Sequence, residues 1–194
     1  MLIAGVDEAG RGPLAGPVFA AAVILDPNQA IEGLADSKVL SPIKRTRLDV
    51  LIKQRALCWA IAEASVEEID ELNILQASLL AMNRAISALT TVPDQVLIDG
   101  NQLPNDLLIP AQAIVKGDSK IAAISAASIL AKVARDRLMD TYHVYYPDFS
   151  FHLHKAYGTK QHFAEIKQFG FLDVHRKSFN PIKTLIAQQG LKSL

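Results

Sequence analysis

The 194-residue chain has a single cysteine, Cys58. No internal disulfide can form, and a reducing compartment is expected. Long hydrophobic runs are also missing. The longest apolar stretch, Val18 to Leu25, is far too short to span a bilayer. The start carries no basic segment, and Asp7 and Glu8 interrupt its apolar residues, so no secretory signal is expected. A cytoplasmic protein with no membrane association follows. An excess of either charge is missing too: twenty basic and twenty acidic side chains give a formal net charge of zero. That balance argues at first sight against a nucleic-acid partner, although it says nothing of how charge is distributed. Repeats and low-complexity tracts are absent. What is present is an ordinary globular balance, 50% hydrophobic and 21% charged. A chain of this length buries roughly 70% of its unfolded surface and needs no disulfide or metal staple.

Apolar runs over Leu2–Val6, Val18–Leu25 and Ala56–Ser65 read as strands, the first two joined by a loop with three glycines and two prolines between Ala9 and Pro17. Short connections among the three suggest an antiparallel meander. Pro42–Arg55 has helical spacing, with Ser41 as N-cap and proline at the first helical position. Residues 67–89 predict one or two helices, 95–98 and 111–115 two further strands, and 121–142 a long Ala-rich helix. The alternation of later strands with helices suggests parallel crossovers. The expected class is α/β: a mixed sheet, antiparallel in its first three strands and then parallel, flanked by helices. Residues 1–142 form the expected core, and 143–194 a basic, mostly helical extension packed on it. The six phenylalanines from Phe149 to Phe179 are expected in the interior of that extension.

Charge is unevenly spread. Residues 62–109 hold eight acids against Arg84 alone, a net −7, whereas 151–194 hold seven bases against two acids, a net +5. Such a basic surface can bind phosphate while the whole chain stays neutral.

Four carboxylates fall where strands are expected to stop: Asp7, Glu8, Asp99 and Asp118. If those strands are neighbours, the groups converge, and converging carboxylates raise one another's pKa unless a cation sits among them. Hard oxygen donors without Cys or His favour magnesium or manganese over zinc. A cluster of this kind can hold two metal ions about 3.5–4 Å apart, an arrangement that cleaves phosphodiesters. Neighbouring strand residues point to opposite faces. Asp7 and Glu8 therefore share a site only if the strand ends near Glu8 and the chain turns there. Gly10-Arg11-Gly12 places a guanidinium between two residues without side chains, where backbone amides can approach a phosphate or sugar. No Gly-Lys-Ser/Thr follows, so it is not a P-loop.

The run from Gly5 to Val18, GVDEAGRGPLAGPV, resembles the N-terminal signature of the type 2 ribonucleases H, the ribonuclease HII family. The resemblance continues through Asp36-Ser37-Lys38, Asp99-Gly100, Lys116-Gly117-Asp118, the segment from Ser125 to Asp136, His154 to His162, and His175 to Phe179. It implies a ribonuclease H sheet with a C-terminal helical extension. It also implies a metal-dependent endonuclease that cleaves the RNA strand of RNA–DNA hybrids. Single ribonucleotides in duplex DNA would be cut on their 5′ side, leaving 3′-hydroxyl and 5′-phosphate, a role in removing misincorporated ribonucleotides. The family's catalytic and metal-binding acids fall on Asp7, Glu8, Asp99 and Asp118, with Mg2+ or Mn2+ as cofactor. Gly10, Arg11, Gly12 and Tyr157 correspond to the elements that read the ribose 2′-OH.

Lys38, Ser125, Lys155 and Arg176 complete the expected substrate contacts. Ser125, Ser128, Lys132 and Asp136 share one face of the long helix by their spacing. One departure stands out: Ala156 precedes Tyr157 where the family has glycine. No N-terminal substrate-binding domain like that of ribonuclease HIII precedes the signature. A monomer is expected. Gln188-Gln189-Gly190-Leu191 faintly echo sliding-clamp peptides. A non-catalytic hybrid-binding protein is the alternative, but it gains nothing from four acids facing a polyanion.

Overall fold

Two apolar strands, β1 (Ile3–Ala9) and β2 (Val18–Ile24), form the centre of the computed structural model, which describes residues 1–191. They pair antiparallel, with Asp7 opposite Ala21 and Ala9 opposite Phe19. β3 (Cys58–Ala64) continues the antiparallel part, whereas β4 (Gln95–Asp99) and β5 (Ala111–Ile114) join the other side in parallel. The order is β3-β2-β1-β4-β5, the mixed sheet that the sequence predicts. The connections differ from expectation in one place. Residues 25–57, between β2 and β3, carry a whole helix, and the two strands are still antiparallel.

That helix, α1 (Pro42–Arg55), begins where the sequence places it: the Ser41 hydroxyl accepts the Lys44 N–H and Pro42 opens the first turn. The acidic stretch forms two helices, α2 (Val66–Leu72) and α3 (Ile74–Ser87). Ser65 and Glu68 make a reciprocal capping box on α2, and the Asn73 side chain caps α3. Val18, Ala20, Ala22 and Ile24 of β2 pack with Ala4 and Val6 against α3, while Ala21 and Val23 face α1 and α4 (Ala122–Tyr145). With helices on both faces, β2 reads as an unbroken apolar run rather than an alternating one.

Gly5 explains how closely α4 lies on β1. A Cβ there would stand 2.1 Å from the carbonyl carbon of Ala123. Helix α4 runs three residues past Tyr142, so the expected boundary between residues 142 and 143 falls inside it. Beyond it come α5 (Phe151–His154), α6 (Lys160–Phe169) and α7 (Ile182–Leu191). A third apolar cluster joins this segment to the rest: Phe149, Phe151, Ala156, Ile166 and Ile182 pack with Leu14, Ala15 and Met139. Phe149 and Phe151 are buried as expected, but Phe163 and Phe169 are exposed. Short amphipathic helices laid on a finished core leave one face in solvent, and these two rings sit there. Of the basic residues in the C-terminal stretch, Lys192 lies outside the described residues. No helix among the described residues is long and apolar enough to cross a membrane.

Candidate active site

The parallel pairing of β1 and β4 sets Val6 opposite Ile98, so the residues that follow, Asp7 and Asp99, emerge on neighbouring strands. Asp118 arrives from the turn after β5, in a 3-10 segment at Gly117–Ser119. One carboxylate oxygen from each of Asp7, Asp99 and Asp118 lies within 4.8 Å of the others. Glu8 stands outside this group. The strand does not end at Glu8 but runs on to Ala9, because β2 offers pairing partners that far. Glu8 nevertheless lines the groove beside the cluster, near enough to Asp99 for their charges to interact. Glu8 is held by Arg11, 3.5 Å away.

The cluster is braced by backbone and hydroxyl groups. Asp99 Oδ1 accepts the Gly117 N–H at 2.7 Å. The Asp7 carboxylate accepts the Glu8 N–H at 2.7 Å. Ser125, expected at the substrate, is buried and donates its hydroxyl to the Asp118 carbonyl at 2.6 Å. It positions an acid instead. Ile121 occupies the N-cap position of α4.

Burial, and then the charges of Glu8 and Asp99, push the Asp7 carboxyl well above the ordinary carboxylate range, against the pull of the Ser128 hydroxyl. Burial and Asp99 also raise Glu8, with Arg11 opposing. Asp118 is raised by burial and Asp99, with Lys38 opposing. Lys38 is largely exposed, its Nζ 3.9 Å from Asp118 Oδ2. Partial burial works against its charge, but Asp36, Asp7, Asp118 and Asp99 together raise its pKa. Uncompensated oxygens that raise one another's pKa, with no thiolate or imidazole among them, fit a hard divalent cation.

Beside the carboxylates lies a groove of about 270 Å³, lined by Glu8, the Gly10-Arg11-Gly12 loop, Ser37, Lys38, Lys132 and Tyr157. The Tyr157 ring is 42% exposed and faces Gly12, where an added Cβ would be 3.7 Å from it. Lys132 Nζ lies 5.8 Å from the ring centroid and is paired to Asp136 at 2.7 Å. The structure thus brings the glycine loop, Lys38 and Tyr157 to one groove.

Two expected phosphate contacts are corrected. Arg176 is fully buried. Its guanidinium donates to the carbonyls of Gly16, Arg11 and Gly10 at 2.9, 2.9 and 2.6 Å. It holds the glycine loop from beneath and has no surface left for a phosphate. The Lys155 ammonium is engaged by Asp140 and by the Asp136 carbonyl, away from the carboxylate groove.

Ala156 has φ +66°, in the left-handed region, and is fully buried. The conformation that the family's glycine suggests is therefore kept by a residue with a side chain. Sequence reasoning missed Arg135, which is buried, touches Gly10 and donates to the Ala15 and Lys155 carbonyls. The available signal was an arginine within an Ala-, Ile- and Val-rich helical stretch.

A family model for ribonuclease HII matches residues 4–182. The chain is 59% identical over 185 residues to a ribonuclease HII of Chromobacterium violaceum, covering 95% of this chain and 93% of that one. To the ribonuclease HII of Azoarcus sp. it is 58% identical, covering 95% and 90%. The crystal structure of ribonuclease H2 from Pyrococcus horikoshii superposes with a TM-score of 0.79 at 27% identity, covering 97% and 98%. The likeness covers nearly the whole chain, and the chain belongs to the ribonuclease HII family of endoribonucleases.

Proposed function

We propose that this protein hydrolyses the RNA strand of RNA–DNA hybrids and cuts duplex DNA on the 5′ side of a single embedded ribonucleotide, using a divalent cation. One observation carries the reading: the Asp7, Asp99 and Asp118 oxygens lie within 4.8 Å of one another, beside a groove floored by a glycine loop and flanked by Tyr157. Three carboxylates facing a polyanion repel it unless a cation intervenes. In this reading Asp7, Asp99 and Asp118 hold Mg2+ or Mn2+. Glu8, beside them at the groove and held by Arg11, completes the proposed catalytic set. When bound, the cation lowers the pKa of the attacking water and stabilises the departing 3′-oxygen.

The remaining work falls to the chain. The Gly117 N–H fixes where the Asp99 carboxylate points, and Ser125 anchors the backbone of Asp118. Lys38 offers a charge to the phosphate next to Asp118. Discrimination rests on the 2′-OH, the one group by which the sugar differs. The loop amides of Gly10–Gly12 and the Tyr157 ring and hydroxyl stand where they can contact it. The products are a 3′-hydroxyl and a 5′-phosphate, as suits the excision of misincorporated ribonucleotides. The sliding-clamp expectation concerns Gln188–Leu191, the end of α7, where the side chains of 189–191 lie outside the described residues.

The test is cleavage by Asp7→Asn of a long hybrid and of a duplex with one ribonucleotide. Loss of both activities, with an unchanged circular dichroism spectrum, is expected. Full activity in this variant overturns the reading.

A further inference from the structure

Two arginines, Arg135 of α4 and Arg176 of the C-terminal segment, are fully buried. Among the described residues, no carboxylate lies within ion-pair distance of either. A buried cation without a counter-ion is costly, so its hydrogen bonds need a reason. Those of Arg176 all go to one loop, the carbonyls of Gly10, Arg11, Gly16 and Pro17. Those of Arg135 go to two. One terminal nitrogen donates to the Ala15 carbonyl and the other to the Lys155 carbonyl, each at 3.0 Å.

Between those carbonyls, the flat of the side chain lies against Gly10. A Cβ on Gly10 would meet Arg135 Nε at 2.2 Å, and Nε itself has no hydrogen-bond partner. Gly10 is thus open at the place where the guanidinium passes. The Lys155 carbonyl belongs to a turn with two successive left-handed residues, Lys155 at φ +49° and Ala156 at φ +66°. Tyr157 follows at once. A second strut ties the same turn to the loop: the Leu14 N–H donates to the Ala156 carbonyl at 2.8 Å.

We propose that Arg135 is a positioning residue that sets the separation between the glycine loop and Tyr157, and thereby the selectivity for a ribose in the groove. This rests on the reading that the two walls of the groove grip one sugar. Arg135 touches no substrate; it is buried behind both walls. A rigid fork that spans two carbonyls has no equivalent in lysine, whose ammonium is a point donor. The arginine pair also leaves two positive charges behind a loop that faces phosphate. Burial first, and then mutual repulsion, holds the Arg176 guanidinium down to about 9.

The experiment is a double-mutant cycle between position 135 and Tyr157. Arg135→Lys and Arg135→Gln are each combined with Tyr157→Ala, and each protein is checked for a cooperative thermal transition. Arg135→Gln buries no charge and keeps a folded form available. Two quantities are read. One is kcat and KM on a duplex with one ribonucleotide. The other, in the absence of divalent metal, is the ratio of affinities for that duplex and for the all-DNA duplex.

With Tyr157 present, each substitution is expected to lower kcat by about thirtyfold, with KM within threefold, and to reduce the affinity ratio. In the Tyr157→Ala background the further loss is expected to stay below threefold. Equal losses in both backgrounds, or loss of the folded transition in both variants, assign Arg135 a purely structural role and overturn the proposal. If the wild type does not cleave but prefers the ribonucleotide duplex, the functional reading fails and the affinity ratios still decide for or against Arg135. If the wild type neither cleaves nor prefers it, both fail.

Discussion

Asp7 lies in the middle of the central strand, buried and next to two other acids, and burial and its neighbours raise its pKa well above the usual range. The residue destabilises the metal-free fold for the sake of the site. Asp7→Asn removes the repulsion and keeps the shape. It is expected to stabilise the metal-free protein by about 1 kcal/mol, seen as a higher urea midpoint, while abolishing cleavage; an unchanged or lower midpoint would show that the carboxylates do not strain the fold. Ala156 is a different case. Its left-handed backbone costs roughly 1–2 kcal/mol, but its methyl group is buried in the C-terminal cluster, which returns about 0.8 kcal/mol. Ala156→Gly also adds freedom to the unfolded chain. The terms offset, and the variant is expected to lie within about 1 kcal/mol of the parent in chemical denaturation; a larger change would mean that the turn is not held as described. The carboxylates, the glycine loop, Lys38 and Tyr157 were legible in the sequence because each is a chemically distinctive residue in a distinctive run. Arg176 was legible as a site residue but not as a support, because a hydrogen bond to a carbonyl across 160 residues leaves no mark on local spacing.

Among the elements, the contact of β1 with α4 does most to place the site, since it brings Ser125 and Ser128 behind the acids. Gly5→Val puts atoms into the backbone of Ala123 and is expected to cost about 3 kcal/mol, the upper range for overpacking, measurable as a lower thermal midpoint. The helices and strands themselves were legible because capping residues and apolar runs are local signals: Ser41-Pro42 marks α1 to the residue. The end of β1 was not. Asp7 and Glu8 look like a polar stop, but strand length here is decided by the partner β2, a nonlocal fact.

The C-terminal elements hold a buried histidine chain. The His175 Nδ1 accepts the Leu172 N–H, so Nε2 carries the proton toward His162 Nε2 at 3.1 Å, and His162 Nδ1–H donates to the Tyr157 carbonyl at 3.0 Å. Burial, and then the neighbouring histidine, lowers His162 and His175 to about 4. Unfolded histidines protonate near 6.5. Their contribution is therefore complete above pH 6.5 and is lost as pH falls from 6.5 to about 4, at up to about 1.4 kcal/mol per pH unit for each. Asp7 and Asp118, whose pKa values are raised, act in the opposite sense and gain stability as pH falls. The acid-side decline is thus expected to be steeper in Asp7→Asn than in the wild type when urea midpoints at pH 7 and pH 5 are compared. Parallel declines would contradict the assignment of opposite signs.

At the scale of the molecule, the zero net charge is a sum of opposites. Part of the acidic stretch is spent internally: the Asp70 carboxylate accepts the N–H groups of Lys177 and Ser178 and thereby docks the C-terminal segment. Two bases of the basic stretch are spent internally as well, Arg176 beneath the glycine loop and Lys155 on Asp140. Lys160, Lys167, Lys177 and Lys183 remain exposed on the C-terminal segment, and Lys38 stands at the groove. Binding of a hybrid in the absence of metal is expected to weaken linearly with the logarithm of salt, with a slope of about −0.9 for each phosphate held. Lys38→Ala is expected to reduce that slope by about one; salt-independent affinity would remove phosphate contacts from the account. The central claim is metal-dependent cutting at a ribose. It is tested most directly by mapping the products of a 5′-labelled duplex with one embedded ribonucleotide, with Mg2+ or Mn2+ and with chelator. The account predicts one cut, on the 5′ side of the ribonucleotide and only when metal is present. A cut that persists in chelator, or none at the ribonucleotide with metal supplied, would contradict it.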